Sequence, residues 1–176
     1  MSQNPNVEEN LLAEITETLN GKSPTYEQVK NMKYANAIFS ETLRLHPSVP
    51  KNIKQAVVDE VLPDGTIVPK GCMVVWSPYV MGRTESIWGP DAKKFNPDRW
   101  LNTSRVYTAF ENPAFNAGPR VCLGKNLAEL EGVFVLVSLI QEYKISVLRD
   151  QKITYATSLT LPMRYGLKCM IEHRNK

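Results

Sequence analysis

The sequence has few of the residues that build metal clusters or disulfide frameworks. Its 176 residues include three cysteines, Cys72, Cys122 and Cys169, and two histidines. Three scattered cysteines do not form the framework of a small secreted protein, so we expect an intracellular, reducing compartment. His46 precedes a proline at a predicted helix end, where histidine caps a helix, and His173 lies in a basic tail. No two-histidine metal site is therefore indicated.

Long apolar runs and a strong charge of one sign are also missing. The first 20 residues contain no signal-peptide core, and no run approaches the ~18 apolar residues of a membrane span. The net charge of +3 is too small to indicate a nucleic-acid partner. There are no internal repeats or low-complexity tracts. The whole sequence has 43% hydrophobic and 22% charged residues. This composition is typical of a globular protein with a sizeable core.

Apolar periodicity predicts several helices. The first carries apolar residues at helical spacing and ends at Gly21: Val7, Leu11, Leu12, Ile15 and Leu19. Thr25 with Gln28 resembles a capping box that starts a short helix. A longer helix over residues 32–45 must end before the prolines that follow. The strongest pattern covers residues 123–143, and its second half is apolar on nearly every side, so we expect it to be deeply buried.

The remaining segments predict small sheets and one long irregular stretch. Residues 53–61 and 73–76 flank a Pro-Asp-Gly turn and predict an antiparallel sheet, followed by a short helix over 78–82. Residues 144–149 and 163–171 read as strands with a hairpin over 153–161 between them, and Cys72 and Cys169 are expected in the core. Residues 88–118 show little periodicity. The predicted fold class is mainly α with small antiparallel β-sheets (α+β), in a single partial domain over 1–176.

One decapeptide carries the most information. Residues 115–124 read FNAGPRVCLG, which fits Phe-x-x-Gly-x-Arg-x-Cys-x-Gly directly before the strongest helix. This segment resembles the haem-binding loop of the cytochrome P450 monooxygenases. The resemblance implies haem b with Cys122 as the axial thiolate ligand of the iron. A thiolate ligand favours O–O cleavage, and the helix that follows would stabilise the deprotonated sulfur. The alternative is a buried, inert cysteine in a Gly-Pro turn.

Other residues of this motif have expected roles beside the cysteine. Gly118 and Gly124 suit positions where the backbone turns tightly or approaches a flat ligand. Arg120 is a partner for a haem propionate, and Phe115 would keep water from the thiolate. By resemblance, Lys54 would hold the second propionate, although a solvated lysine on a strand edge explains it equally well.

A second constellation is structural. Glu41 and Arg44 are three residues apart on a predicted helix and share a face. The resemblance implies that they form the family's Glu-x-x-Arg pair, with Arg99 of the segment FNPDRW as a third member. The three would form a buried triad that holds the irregular segment against the helix. The alternative is an exposed ion pair, which contributes about 0–1 kcal/mol.

The resemblance covers residues 6–171 but only the last part of a family catalytic domain. We expect the oxygen-side helix and its acid–alcohol pair to be missing, and we interpret Glu17 and Thr18 as a solvent-facing coincidence. Three hypotheses stay open. The chain is part of a monooxygenase that inserts one atom of O₂ into a C–H bond of a lipophilic substrate, a catalytically inactive haem-binding module, or the product of a truncated gene.

The resemblance also implies partners and a location. The sequence of residues 41–50, 62–65, 81–83 and 88–91 resembles that of eukaryotic fatty-acid hydroxylases that act near the terminus of the fatty-acid chain. This resemblance implies that residues 49–53 and 158–161 face the substrate. Full-length relatives of this kind sit on the endoplasmic reticulum membrane. An NADPH-dependent reductase or another electron donor would dock on the basic residues below the cysteine loop, namely Lys93, Lys94, Arg105, Arg120 and Lys125. An ordinary solvated surface explains those charges equally well.

Overall fold

The protein, seen in a computed structural model, is described over residues 1–101, 104–156 and 158–174. In chain order the helices are α1 (Pro5–Leu19), α2 (Tyr26–Asn31), α3 (Lys33–Leu45), α4 (Pro78–Met81), α5 (Glu85–Trp88) and α6 (Lys125–Glu142). The strands are β1 (Asn52–Gln55), β2 (Glu60–Val61), β3 (Ile67–Val68), β4 (Met73–Trp76), β5 (Tyr143–Val147) and β6 (Cys169–His173). The predicted α+β class, helical with small antiparallel sheets, is confirmed.

Local signals in the sequence set the ends of the first three helices. Helix α1 ends at Asn20, whose left-handed backbone (φ 48°) forms the C-terminal cap. Helix α2 begins with the predicted capping box, in which the Thr25 N–H donates to Gln28 Oε1 at 3.1 Å and the Gln28 N–H donates to Thr25 Oγ1 at 3.4 Å. Helix α3 ends because the residue before Pro47 is disfavoured in the helical conformation. All three predicted helices are confirmed.

The core lies where α6 packs against α1, α2 and α3. Apolar side chains three or four residues apart on each helix meet there and exclude water. The buried aliphatic members are Leu11, Ile15, Leu19, Val29, Met32, Ile38, Val133, Val137 and Ile140. This helical layer carries the segments that form the candidate site.

The expectation that the second half of α6 is deeply buried is wrong. Val133 and Val137 are fully buried, but Phe134, Val135 and Leu139 are 40%, 49% and 42% exposed. The physical reason is that α1, α2 and α3 cover one side of α6. Within the described ranges, the opposite apolar side of this helix faces solvent.

The predicted first sheet is divided into two ladders. Strand β1 pairs antiparallel with β4, and β2 pairs antiparallel with β3 around the turn containing Gly65 (φ 85°). Between them, the Lys70 N–H donates to Asp59 Oδ1 at 2.7 Å, so a side chain takes the place of a ladder bond. The expectation that Cys72 lies in the core is wrong, because it is exposed in the turn before β4. Cys169, in β6, is partly buried.

The C-terminal region forms a separate ladder. Strands β5 and β6 pair antiparallel along five residues, so the second strand starts later than the predicted residue 163. The predicted hairpin is a minimal one, with a bridge between Tyr155 and Met163. Its flanking bonds run from the Ala156 N–H to the Pro162 oxygen and from the Arg164 N–H to the Thr154 oxygen, both at 2.9 Å. Thr157 lies outside the described residues.

The long irregular segment contains only short elements, as predicted. Besides α5 it holds the single-turn 3₁₀ helices Pro97–Trp100, Pro113–Phe115 and Gly118–Arg120. Asn102 and Thr103 lie outside the described residues. In the part of the chain that the structure describes, no helix has the length and apolar surface needed to cross a bilayer.

Replacing Gly132 with alanine is expected to destabilise the fold. A Cβ atom at this position of α6 would lie 2.1 Å from Cε2 of Phe39 on α3. Because such overpacking forces side chains or backbone to shift, Gly132→Ala should lower the free energy of unfolding by about 1–3 kcal/mol. Urea unfolding measures this change. Combining Gly132→Ala with Phe39→Leu should cost less than the sum of the two single changes; strict additivity would contradict this contact.

Candidate functional site

A buried ion pair lies on α3. Glu41 and Arg44 are both fully buried. Arg44 donates from Nε to Oε2 and from Nη2 to Oε1 of Glu41, each at 2.7 Å. Two parallel N–H···O bonds of this kind fix the relative orientation of both side chains. The spacing of three residues thus produces a bidentate pair inside the protein.

Arg44 also holds the backbone of the irregular segment. Its Nη1 donates to the carbonyl oxygens of Gly82 and Ala92, the latter at 2.5 Å, and its Nη2 donates to the Lys94 oxygen at 3.0 Å. The approach at Gly82 requires glycine, because a Cβ atom there would lie 2.1 Å from the Arg44 carbonyl oxygen. One side chain of α3 therefore orders thirteen residues of loop that lack a sheet or long helix of their own.

The structure brings Arg99 to the same carboxylate. Its Nε donates to Glu41 Oε1 at 3.1 Å, and its Nη2 donates to Asp91 Oδ2 at 3.0 Å. Burial alone lowers the pKa of Arg99, but the charges of Glu41 and Asp91 outweigh it and raise the pKa overall. For the Asp91 carboxyl, burial raises the pKa. The hydrogen bonds from Asn96 and Arg99 outweigh burial, so the pKa of Asp91 lies below its usual value. Both groups therefore stay charged at neutral pH.

Two donors to Glu41 were missed from the sequence. The Asn96 N–H donates to Oε1 at 2.8 Å and the Trp100 indole N–H donates to Oε2 at 2.9 Å. Both residues belong to the segment FNPDRW, where the 3₁₀ turn from Pro97 to Trp100 directs the indole toward α3. The tryptophan directly after Arg99 is the signal that could have indicated this contact.

The cysteine loop is closed by its own backbone. The Cys122 N–H donates to the Phe115 oxygen at 2.8 Å, and the Lys125 N–H donates to the Cys122 oxygen at 3.3 Å. Between Phe115 and Cys122 the chain reverses through Asn116 (φ 60°) and Gly118 (φ 66°), both in the left-handed region. Cys122 is exposed. The loop thus presents a thiol at the surface just before α6.

Lys54 and Arg120 line the same cleft. This cleft has a volume of about 620 Å³. Strands β1 and β4, α4 and the cysteine loop form its walls, with the lining residues Asn52, Ile53, Lys54, Trp76, Met81, Phe110, Pro113, Asn116, Ala117 and Arg120. The lining combines apolar side chains with two cations that come from distant parts of the sequence. Such a cleft suits an apolar ligand that carries carboxylates.

Phe115 lies beside a second cavity. It lines this cavity of about 250 Å³ together with Leu43 and Trp100, and its backbone oxygen accepts a hydrogen bond from the Cys122 N–H. That its ring keeps water from the thiolate stays a prediction, and the Cys122 thiol is exposed. Neither cavity has Cys122 among its lining residues.

The basic residues near the cysteine loop differ in whether a carboxylate lies beside them. Lys93 and Lys94 have exposed side chains. Arg105 Nη2 lies 3.2 Å from Glu111 Oε1, and Lys125 Nζ lies 3.9 Å from Glu129 Oε1. The carboxylates of Glu111 and Glu129 therefore offset part of the positive charge near the cysteine loop.

Comparison with known proteins identifies the family. The sequence model of the family described as Cytochrome P450 matches residues 1–169. The chain belongs to the cytochrome P450 family. It is 37% identical to cytochrome P450 86B1 of Arabidopsis thaliana, 39% to cytochrome P450 94A2 of Vicia sativa and 38% to cytochrome P450 monooxygenase himC of Aspergillus japonicus.

These alignments include 99%, 99% and 98% of this chain but 34%, 36% and 32% of the relatives. The chain thus spans about a third of the length of these cytochromes P450, all of them eukaryotic. Membership of the family implies haem as the cofactor. The residues present fit this group, since the cleft between Lys54 and Arg120 offers an apolar surface and two cations for the propionates of a porphyrin.

Replacing Trp100 with phenylalanine is expected to weaken the site while keeping an aromatic ring. The change removes one donor from a buried carboxylate, so the free energy of unfolding should fall by about 1.5–3 kcal/mol. Guanidinium unfolding measures it. Trp76→Phe, which trims an indole of β4, is the matched control and should cost less. Equal losses in the two variants would show that the Glu41 contact contributes nothing.

Proposed function

We propose that this chain is the haem-thiolate portion of a monooxygenase that inserts one oxygen atom from O₂ into a C–H bond of a lipophilic substrate. The observation that carries the proposal is the convergence of Lys54 and Arg120 on one apolar cleft, with Arg120 two residues before the exposed Cys122. Family membership supplies the reaction class. An exposed, free thiol can serve as a ligand to a metal ion.

Each residue of the loop has a defined part in this function. Cys122 would hold the haem iron through its thiolate, and Arg120 and Lys54 would pair with the two propionates. Gly118, at φ 66°, permits the turn before the cysteine. Gly124 lies beside the thiol, since a Cβ atom there would be in ordinary contact with the Cys122 sulfur at 4.0 Å. When bound, the haem supplies the activation of O₂.

The buried triad would support this loop from behind. Glu41, Arg44 and Arg99 hold the backbone between Gly82 and Trp100 against α3. The side chain of Trp100 then forms a wall of the cavity that Phe115 also lines. The triad thus acts through the loop that it orders and moves no proton in the reaction.

We further propose a long-chain fatty acid, oxidised near its terminus, as the substrate. The support is the sequence resemblance of residues 41–50, 62–65, 81–83 and 88–91 to eukaryotic fatty-acid hydroxylases. A reductase that uses NADPH, or another electron donor, would dock on the cysteine-loop side. Lys93 and Lys94 are the exposed cations available to attract an acidic partner.

A narrower candidate function is haem binding without turnover. The cleft supports it because its charged lining residues, Lys54 and Arg120, are groups that hold a ligand's carboxylates. Haem loading would be common to both candidates. Only oxidation of an added fatty acid by the loaded protein, in the presence of a reductase, distinguishes the monooxygenase from the binding module.

The identity of the iron ligand can be tested by spectroscopy. After reconstitution with haem and reduction, the carbon-monoxide complex should show a Soret band strongly shifted to the red, the mark of thiolate ligation. Cys122→Ala should abolish the shift. Cys72→Ala removes another exposed cysteine and is the matched control. Loss of the shift in Cys72→Ala, or its persistence in Cys122→Ala, would overturn the assignment.

The structural role of the triad can be tested by haem occupancy. Arg44→Ala leaves Glu41 buried with fewer partners, which should cost about 3–5 kcal/mol of folding stability. We expect little or no haem to be retained after gel filtration, as measured by the ratio of Soret to protein absorbance. Arg149→Ala, at an exposed position, is the control. Full occupancy in Arg44→Ala would contradict the proposed role.

A further inference from the structure

A hydrogen bond joins the end of α3 to the C-terminal hairpin. The backbone N–H of His46 donates to the Thr42 oxygen at 2.7 Å and closes the helix. His46 is thus the C-terminal cap of α3, as predicted. Its imidazole Nδ1 lies 2.5 Å from the Tyr155 hydroxyl oxygen. Partial burial, Arg83 and Arg44 lower the pKa of His46. The ring is therefore neutral at pH 7, and in the tautomer with its hydrogen on Nε2 the Nδ1 atom accepts a hydrogen bond from the hydroxyl.

A second bond holds the hairpin at the same loop. The Leu161 N–H donates to the Ser48 oxygen at 2.9 Å. Residues 154–156 and 162–164 pair on either side of the turn, so Tyr155 and Leu161 both lie at its base. The turn over residues 158–161 is thus fixed at two points to the four residues that follow α3.

The same loop is also attached to α4. The Tyr79 N–H and the Ser77 hydroxyl donate to the Pro50 oxygen at 3.3 and 2.8 Å. The Tyr155 ring meets Tyr79 edge-on at 6.4 Å, and the Arg83 guanidinium lies 3.7 Å from the centre of the Tyr79 ring. Burial and Tyr79 raise the pKa of Tyr155 against the opposing charge of Arg83. The hydroxyl consequently stays protonated and able to donate.

We propose that His46 and Tyr155 are positioning residues that set how the 158–161 turn faces the substrate. The turn presents Leu159, which is 81% exposed. It is anchored at Ser48, and the chain from there continues into Asn52, Ile53 and Lys54 of the cleft wall. The pair therefore fixes the placement of one apolar side chain relative to that wall. This inference rests on the proposed function and assigns part of its substrate specificity.

Amide hydrogen exchange in the haem-loaded protein tests the positioning role without any substrate. Tyr155→Phe keeps the ring and removes the hydroxyl, and it should accelerate exchange of the Leu161 amide about tenfold. His46→Asn, which keeps an acceptor near the position of Nδ1, should exchange more slowly than His46→Ala. Tyr165→Phe, at an exposed tyrosine beyond the hairpin, is the control and should match the wild type. Unchanged exchange at residues 158–161 in Tyr155→Phe would overturn the positioning role.

Calorimetric titration with dodecanoate and hexadecanoate then tests the effect on specificity. A displaced Leu159 should change the ratio of the two dissociation constants about threefold to tenfold in Tyr155→Phe and leave it unchanged in Tyr165→Phe. General destabilisation would reduce the loaded fraction but not this ratio. Faster exchange with an unchanged ratio would overturn the specificity role. Failure of the wild type to bind either acid would instead refute the proposed substrate class, and the exchange result alone would then decide the positioning role.

Discussion

A carboxylate without contact to water governs the organisation of this molecule. Glu41 is fully buried, and the cost of removing its charge from water is offset only when donors surround both oxygens. The donors are Arg44, Arg99, Trp100 and the Asn96 backbone. Three of these four residues belong to a segment with only one turn of 3₁₀ helix. The conformation of this segment is thus fixed by its hydrogen bonds to Glu41 and not by regular secondary structure.

Helix α3 supports two functional regions at once. On the cysteine side, Glu41 and Arg44 hold the segment that leads to the cysteine loop. At its C-terminal end, His46 contacts Tyr155 of the hairpin. These residues lie within six positions of one another. A single rigid element therefore sets the relative placement of the cofactor side and the proposed substrate side, which explains how a protein with such short strands can maintain the geometry of a site.

Sequence reasoning succeeded where the information is local. The capping box of Thr25 and Gln28 depends on a spacing of three residues, and the helix ends depend on neighbouring prolines and glycine. Family resemblance added Arg99, which periodicity alone could not connect to Glu41. Contacts such as His46 with Tyr155, 109 residues apart, leave no periodic trace. The burial of α6 was overestimated for a related reason, since composition shows that a face is apolar but not which neighbours cover it.

The exposed side of α6 has a consequence for the behaviour of the chain in solution. Leu127, Phe134, Val135 and Leu139 lie along this helix, and Leu123 just before it is wholly accessible. Apolar surface of this kind makes the hydrophobic effect act between molecules as well as within them. Salting-out ions such as sulfate strengthen that attraction, whereas salt screening would weaken an attraction between charges. We therefore expect any association through this face to depend more on the choice of salt than on the small net charge of the chain.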